Sequence, residues 1–305
     1  MAAPIASARS AVFLSYAGMC AIWGTTWLVI KVNLHYIPPI TGVGFRFLIA
    51  GLALYAVAAM RGELRRFSEV PWKLVLVLAV MLFGLNYVLT YTAETRLDSG
   101  LVAVLFGTLP FFMFGMGQAL VNERTTPRIW VGALVAFAGV ALISLASQVQ
   151  GSPLYALAAI GAAASSAFAN VYAKRHSRHA PLLTLPPAML IAGIAVGATG
   201  IAVEHPNWHA AFSPPSIVSL LYLALLGSGI AFFLNLWVLQ RIAAWIVGLS
   251  SLIIPVIAVA VGVVFGGEHF TLRELGGSLL VIVGIFIALS QHQSAAAVIP
   301  TECEV

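Results

Sequence analysis

The second half of this sequence repeats the first half without a gap, at a constant shift of 145 residues. At that shift many identical residues coincide, and aromatic residues replace aromatic residues. The coinciding pairs include Gly84 and Gly229, Arg96 and Arg241, Pro110 and Pro255, Glu123 and Glu268, Thr126 and Thr271, Gly132 and Gly277, Gly139 and Gly284, Trp23 and Phe168, Trp27 and Tyr172, and Tyr87 and Phe232. The chain is therefore an internal duplication and must fold into two similar units.

Composition indicates that both units lie in a membrane. Hydrophobic residues make up 61% of the 305 positions and charged residues only 8%, whereas a soluble domain has roughly 25% charged residues. A spanning helix needs about 20 mainly apolar residues. The sequence predicts ten such spans, at 11–32, 39–60, 72–94, 100–121, 127–147, 153–174, 182–203, 215–239, 245–266 and 272–291. The runs are continuous, which favours helices over barrel strands with alternating polarity.

The predicted fold is an all-α membrane protein with five spans in each repeat. The first repeat covers residues 11–147 and the second covers 153–291, while residues 292–305 lack periodicity and are expected to be disordered. The two cysteines, Cys20 and Cys303, are too distant in sequence to indicate a disulfide framework or a metal site.

Positive charges predict how the spans are oriented. The amino terminus and the even-numbered loops hold eleven Lys and Arg residues, whereas the odd-numbered loops hold three. Because cytoplasmic loops are enriched in these residues, both termini are expected in the cytoplasm. Each repeat has an odd number of spans, so the two repeats must cross the membrane in opposite directions. Inverted hydrophobic repeats of this kind are typical of secondary transporters, in which they form equivalent gates on the two faces.

An ordered set of residues resembles a known family over residues 11 to 291. In the first repeat the set comprises Trp23-Gly24-Thr25, Lys31, Pro38, Pro39, Arg46-Phe47, Tyr91, Ala93, Pro110, Glu123, Gly132 and Gly139. It looks like the EamA-type branch of the drug/metabolite transporter superfamily. The second repeat departs from the pattern, because it begins with Phe168-Ala169 and lacks a counterpart to Arg46. The resemblance implies an exporter of small metabolites, such as amino acids, in a bacterial inner membrane.

Polar and aromatic residues within the first, second, third, sixth and eighth spans are the candidate substrate-binding residues. Lipid cannot satisfy polar atoms at membrane depth, so these side chains should face a cavity or one another. The candidates are Trp23, Thr26, Trp27, Arg46, Asn86, Tyr87, Thr90, Tyr91, Phe168, Asn170, Tyr172, Ser228, Phe232 and Asn235. Because they are aromatic and nearly uncharged, aromatic or large apolar amino acids are the favoured substrates.

Arg46 is the candidate with two open roles. It lies about seven residues into the second span, so its side chain could extend to the outer interface. A buried Arg instead costs about 2.5–3.5 kcal/mol on insertion scales, and for that reason charges within the membrane are functional candidates. The alternative role is therefore to bind a substrate carboxylate or to support the site through an ion pair.

The repeated proline, glutamate and glycine residues suggest mechanical roles. Pro110 and Pro255 are expected to kink the fourth and ninth spans and to act as paired gating hinges. Glu123 and Glu268 are interpreted as caps of the helix that follows each of them. The glycines of the fifth, seventh and tenth spans are expected to pack helices within one chain, with a homodimer contact as the alternative.

The predicted spans hold no carboxylate or histidine away from their ends, and this bears on catalysis and energy coupling. No enzyme activity, catalytic residue, metal site or cofactor is expected. Proton antiport usually needs an ionisable residue deep in the membrane, and a guanidinium does not lose its proton. The sequence therefore favours uniport, with proton antiport through the boundary residue Glu94 as one alternative and a membrane receptor or scaffold as another.

The expected partners are a small-molecule substrate and the lipid bilayer. Nucleic acid is excluded as a partner because the net charge of +5 comes from loop residues.

Overall fold

A computed structural model describes residues 5–63, 68–97, 99–144, 153–176, 178–266 and 271–290. The described residues form helices joined by short turns and contain no strand. The helices are α1 (Ile5–Leu34), α2 (Pro39–Met60), α3 (Trp72–Glu94), α4a (Ser99–Phe106), α4b (Leu109–Val121), α5 (Pro127–Ser144), α6 (Pro153–Arg175), α7 (Pro181–Glu204), α8 (Pro214–Leu239), α9a (Ala244–Gly248), α9b (Ser250–Gly266) and α10 (Leu272–Leu289). One further turn of helix, Trp208–Ala211, precedes α8.

Within the described ranges, nine spans are long and apolar enough to cross a membrane, and α5 adds a shorter apolar stretch at Pro127–Ile143. The all-α, ten-helix prediction is confirmed. The predicted end of the first repeat, at residue 147, and the predicted tail at 292–305 lie outside the described residues.

Helices α2 and α7 come from different repeats and cross in close contact. A Cβ atom added to Gly44 would overlap the Cα atom of Gly197, and one added to Gly51 would meet Leu190 Cγ at 2.9 Å. Because residue numbers rise along α2 as they fall along α7, the two helices are antiparallel. Glycine is required at these positions because any side chain would force the two backbones apart.

Helices α5 and α10 repeat this arrangement and show the two-fold relation between the repeats. A Cβ atom on Gly132 would lie 2.5 Å from the carbonyl oxygen of Gly284, and one on Gly139 would lie 2.5 Å from that of Gly277. The 145-residue shift exchanges these two contacts, since Gly132 corresponds to Gly277 and Gly139 to Gly284. Antiparallel contacts that are exchanged in this way confirm two inverted repeats, and they use the glycines within one chain. A homodimer stays a prediction.

Two π-helical segments occupy equivalent positions in the two repeats. Leu78–Leu85 lies within α3 and Leu223–Ile230 within α8, so the bounds of the two segments differ by the same 145 residues. The sequence predicted ordinary α-helix here. A π-helix changes the direction of the side chains that follow it and is frequent at functional sites. Asn86 and Ala231, the residues directly after the two segments, are both buried.

The fourth and ninth spans are each interrupted. The fourth breaks at Gly107 and Thr108 and the ninth at Leu249. The prediction that Pro110 kinks a continuous helix is wrong, because Pro110 lies in the first turn of α4b, where a missing backbone N–H removes no intrahelical bond. Pro255 does lie inside a helix, α9b. The two equivalent prolines therefore have different local structures.

Candidate functional site

A cavity with a volume of about 130 Å³ lies among helices of both repeats. The cavity is lined by Trp23, Thr26, Ile30, Arg46, Asn86, Tyr87, Thr90, Tyr91, Ala103, Phe106, Leu109, Met113, Ser166, Asn170, Phe232, Asn235, Val247, Ser250, Ser251, Ile254 and Pro255. Ten of the fourteen predicted substrate-binding residues are in this set, together with Pro255.

Aromatic side chains from three helices form one wall of the cavity. Trp23 and Phe232 meet edge to face, with ring centroids 5.3 Å apart, and Tyr87 lies 6.3 Å from Phe232. The indole N–H of Trp23 donates to the backbone oxygen of Gly227 at 3.1 Å, which holds the ring in place. Thr26 and Ile30 follow Trp23 at three- and seven-residue spacing, so one face of α1 contributes all three residues. The wall is largely apolar.

Arg46 is buried beneath this wall, with only 1% of its surface exposed. Its Nε donates to Ser228 Oγ at 2.6 Å, and its Nη2 makes a long hydrogen bond of 3.5 Å to Tyr87 Oη. The guanidinium carbon lies 5.1 Å from the centroid of the Tyr87 ring. Extension of Arg46 to the membrane surface is therefore ruled out.

One guanidinium nitrogen of Arg46, Nη1, is buried and has no hydrogen-bond partner among the described residues. Guanidinium forms its strongest contacts with carboxylates, often through two parallel hydrogen bonds. No residue in the described cavity lining is Asp, Glu or His. The described lining of the site therefore carries the positive charge of Arg46 without a carboxylate beside it.

Ser228 corrects one detail of the predicted site. It is fully buried and does not line the cavity, so it contacts Arg46 rather than the cavity space. The π-helical segment of α8 places Ser228 beside Gly227, where a Cβ atom would lie 2.9 Å from Thr26 Cγ2 and 3.1 Å from Arg46 Nη2. The close approach of α1, α2 and α8 at this point depends on that glycine.

Amide side chains form a second polar group in the cavity. Asn235 Nδ2 donates to Asn170 Oδ1 at 2.8 Å, and Asn170 Nδ2 donates to the backbone oxygen of Ser166 at 2.9 Å. Asn86 Nδ2 donates to the backbone oxygen of Leu82 at 3.2 Å. These contacts orient neutral polar groups in a space that is otherwise apolar.

Two predicted residues on α6 do not reach the cavity. The rings of Phe168 and Tyr172 lie side by side with a tilt of 32° and centroids 6.0 Å apart, and neither residue is in the lining. Successive helical residues are turned by 100°, so positions two residues from Asn170 point away from the face that Asn170 and Ser166 share. The prediction that both rings face the cavity is wrong. Trp27 belongs to α1, but its side chain lies outside the described structure.

Three serines in the lining were missed. Ser166 is on α6, and Ser250 and Ser251 begin α9b, next to the break at Leu249. Adjacent hydroxyl residues inside an apolar span were a usable signal, because the polar-atom argument applies to the ninth span as it does to the others.

Glu123 joins the two repeats at one end of the bundle. Asn122 has a left-handed backbone conformation with φ of 56°, and the Glu123 N–H donates to the Gly117 oxygen at 3.1 Å, which ends α4b. The Glu123 carboxylate accepts the N–H groups of Ala244 at 2.9 Å and Trp245 at 3.3 Å. The expected cap is thus present, but on α9a of the other repeat rather than on α5. Glu268 lies outside the described residues.

The sequence profile of the EamA-like transporter family matches residues 10–145 and again residues 153–290. The chain belongs to the EamA-like transporter family. It is a multi-pass membrane transporter whose two family units are the two inverted repeats. Among the described residues, no group of His, Cys, Asp and Glu could hold a metal ion.

Relatives of this EamA-like transporter carry transporter names. The "Uncharacterized inner membrane transporter YedA" of Escherichia coli strain K12 is 28% identical over 282 residues, or 89% of this chain and 88% of that protein. The "Probable amino-acid metabolite efflux pump" of Salmonella typhimurium strain LT2 is 27% identical over 285 residues, or 87% and 90%. One solved crystal structure superposes with a TM-score of 0.83 at 20% identity over 94% of this chain and 99% of that one. That structure shares the fold.

Proposed function

We propose that this EamA-like transporter exports small metabolites, namely amino acids and related carboxylates, across the bacterial inner membrane. The observation that carries the proposal is the buried guanidinium of Arg46 in an aromatic cavity between two inverted repeats. The name of the Salmonella typhimurium relative, an amino-acid metabolite efflux pump, supports the same substrate class. The family and the transporter names of the relatives also support a protein without enzymatic activity.

In the proposed complex the substrate carboxylate binds the free Nη1 of Arg46. The apolar or aromatic side chain of the substrate packs against Trp23, Tyr87 and Phe232, which form a largely apolar surface. Hydrogen bonds to a charged group contribute about 1.5–3 kcal/mol each. Replacement of Arg46 by a neutral residue should therefore weaken binding by about 10- to 100-fold.

We propose that alternating access moves the interrupted helices, while the helix pairs that pack through glycine stay together. The α2–α7 and α5–α10 pairs are held by glycine contacts, whereas α4 and α9 are interrupted beside the cavity. Discontinuous helices that border a central site are the moving parts of many inverted-repeat transporters. The Glu123 contact with α9a joins the repeats at one end of the bundle. The excess of Lys and Arg in the even-numbered loops supports a cytoplasmic location for this end and for both termini. Pro110 and Pro255 are proposed as the associated hinges.

The proposed energy coupling is uniport. The described cavity lining contains no carboxylate or histidine that could exchange a proton for the substrate. A substrate that the cell has concentrated would then leave down its own gradient. Proton antiport through Glu94, three residues after Tyr91, is the alternative.

Counterflow in proteoliposomes tests this function. Vesicles with the purified protein are loaded with unlabelled phenylalanine, leucine, alanine or the corresponding 2-oxo acids, and uptake of the labelled compound is measured without a pH gradient. Arg46→Gln should reduce counterflow by about 10- to 100-fold at substrate concentrations below saturation, whereas Arg61→Gln, the same change at the exposed end of the same helix, should retain it. Absence of counterflow for every compound, or equal rates for both variants, would contradict the proposal. Accumulation driven by an imposed pH gradient would favour proton antiport.

A further inference from the structure

We propose that the preferred substrate enters the cavity as a net anion: a monocarboxylate with an aromatic or large apolar body and no free ammonium group. N-acylated amino acids and 2-oxo acids belong to this class. The inference rests on the proposed transport function and narrows its substrate.

The charge of the described cavity lining carries the inference. Arg46 supplies one positive charge, and the other polar lining residues are hydroxyl, phenol and amide groups. They are Thr26, Asn86, Tyr87, Thr90, Tyr91, Ser166, Asn170, Asn235, Ser250 and Ser251. A single negative charge on the ligand would neutralise this lining. A zwitterion would leave the lining with the same net positive charge that it has when empty.

An α-ammonium group would be poorly placed in this site. It is only two bonds from the carboxyl carbon, so a carboxylate bound to Arg46 would hold the ammonium roughly 5 Å from the guanidinium, and like charges repel strongly where water is excluded. Aromatic faces can bind ammonium groups, but the Tyr87 ring already lies 5.1 Å from the guanidinium of Arg46. Neutral amides such as Asn170 and Asn235 suit an acyl amide or a keto oxygen, because they can both donate and accept hydrogen bonds.

Transport of an anion by uniport has an electrical consequence. The occupied site, with its carboxylate bound to Arg46, is neutral, whereas the empty site carries the positive charge of Arg46 alone. One export cycle therefore moves one negative charge outward, and an inside-negative potential favours that direction. A potential of about 100 mV corresponds to an equilibrium ratio of about 50-fold for a monoanion and has no effect on a zwitterion.

The test compares three probes that share a phenyl side chain: phenylalanine, N-acetylphenylalanine and phenylpyruvate. Competition with a labelled probe in counterflow should give half-inhibition by both anions at a concentration at least 10-fold lower than by phenylalanine. Arg46→Gln should abolish this preference, and Arg61→Gln should retain it. Ser228→Ala keeps the positive charge of Arg46 but removes the 2.6 Å hydrogen bond that Arg46 Nε donates to Ser228 Oγ. It should therefore weaken anion binding and preserve the order of affinities among the three probes.

A second measurement uses vesicles that contain equal anion concentrations on both sides and a potassium gradient with valinomycin. Protein-containing vesicles that are negative inside should lose the anion, and protein-free vesicles should not. If phenylalanine competes as well as the anions, or if the potential moves no anion, the charge inference is overturned while transport stands. If none of the three probes is transported, both the inference and the proposed function fail.

Discussion

Removal of the Glu123 charge should loosen the contact that joins the repeats at one end of the bundle. In the structure the Glu123 carboxylate accepts two backbone N–H groups of α9a, from Ala244 at 2.9 Å and from Trp245 at 3.3 Å. Glu123→Gln keeps an oxygen acceptor but removes the charge that favours a helix amino terminus. The variant therefore perturbs this contact while it preserves the size of the side chain.

The expected magnitude follows from the two interactions that the variant weakens. Loss of a capping side chain costs about 0.5–2 kcal/mol, and loss of a negative charge at a helix amino terminus costs about 0.3–1 kcal/mol. The glutamine amide keeps part of the capping contribution, so we expect Glu123→Gln to weaken the contact with α9a by a total of about 1–2 kcal/mol. This corresponds to an increase of roughly 5- to 30-fold in the population in which α9a is released.

Hydrogen exchange of the reconstituted protein measures this opening. The exchange rate of the peptide that contains Ala244 and Trp245 should rise by about the same factor in Glu123→Gln. Glu274→Gln is the matched control, because the capping box that Glu274 forms with Thr271 lies at the start of its own helix. It should raise exchange only at the start of α10. Unchanged exchange at Ala244 and Trp245 in Glu123→Gln would refute the reasoning.

Three further predictions concern the cavity, the hinges and the orientation. Trp23→Ala and Tyr87→Ala should each weaken substrate affinity about 10-fold in binding assays, because each removes part of the aromatic wall; loss of stability with unchanged affinity would contradict this. Pro110→Ala and Pro255→Ala should slow counterflow and preserve binding, and parental rates in both would exclude hinges. A reporter at the carboxyl terminus should be cytoplasmic and one within 148–152 external; the opposite pattern would reverse the orientation.

The fold was predictable to the level of ten helices in two inverted repeats. Span number depends on continuous apolar length, and inversion depends on an odd number of spans per repeat, so both are properties of the linear sequence. The two π-helical segments, Leu78–Leu85 and Leu223–Ile230, were not predictable. A π-helix changes backbone hydrogen bonding without a distinct hydropathy pattern, although its occurrence at equivalent positions shows that each repeat specifies it.

The site was predictable in its residue types and only partly in its geometry. Polar atoms in apolar spans, together with the aromatic residues among them, indicated ten of the lining residues, because polar atoms must avoid lipid. Hydropathy does not determine how far a helix is rotated about its axis. Consequently the sequence did not distinguish Asn170, which lines the cavity, from Phe168 two residues earlier, which does not.

The sequence by itself determined the solvent, the number of spans and the inverted duplication, since composition and periodicity are local properties of the chain. Only the tertiary structure decided where Arg46 points and which helix Glu123 caps. Arg46 contacts Ser228, which is 182 positions away, and Glu123 contacts Ala244, which is 121 positions away. The close approach of α1, α2 and α8 at Gly227 brings Ser228 beside Arg46. Contacts of that range result from packing of the whole bundle, which no single segment of the sequence encodes.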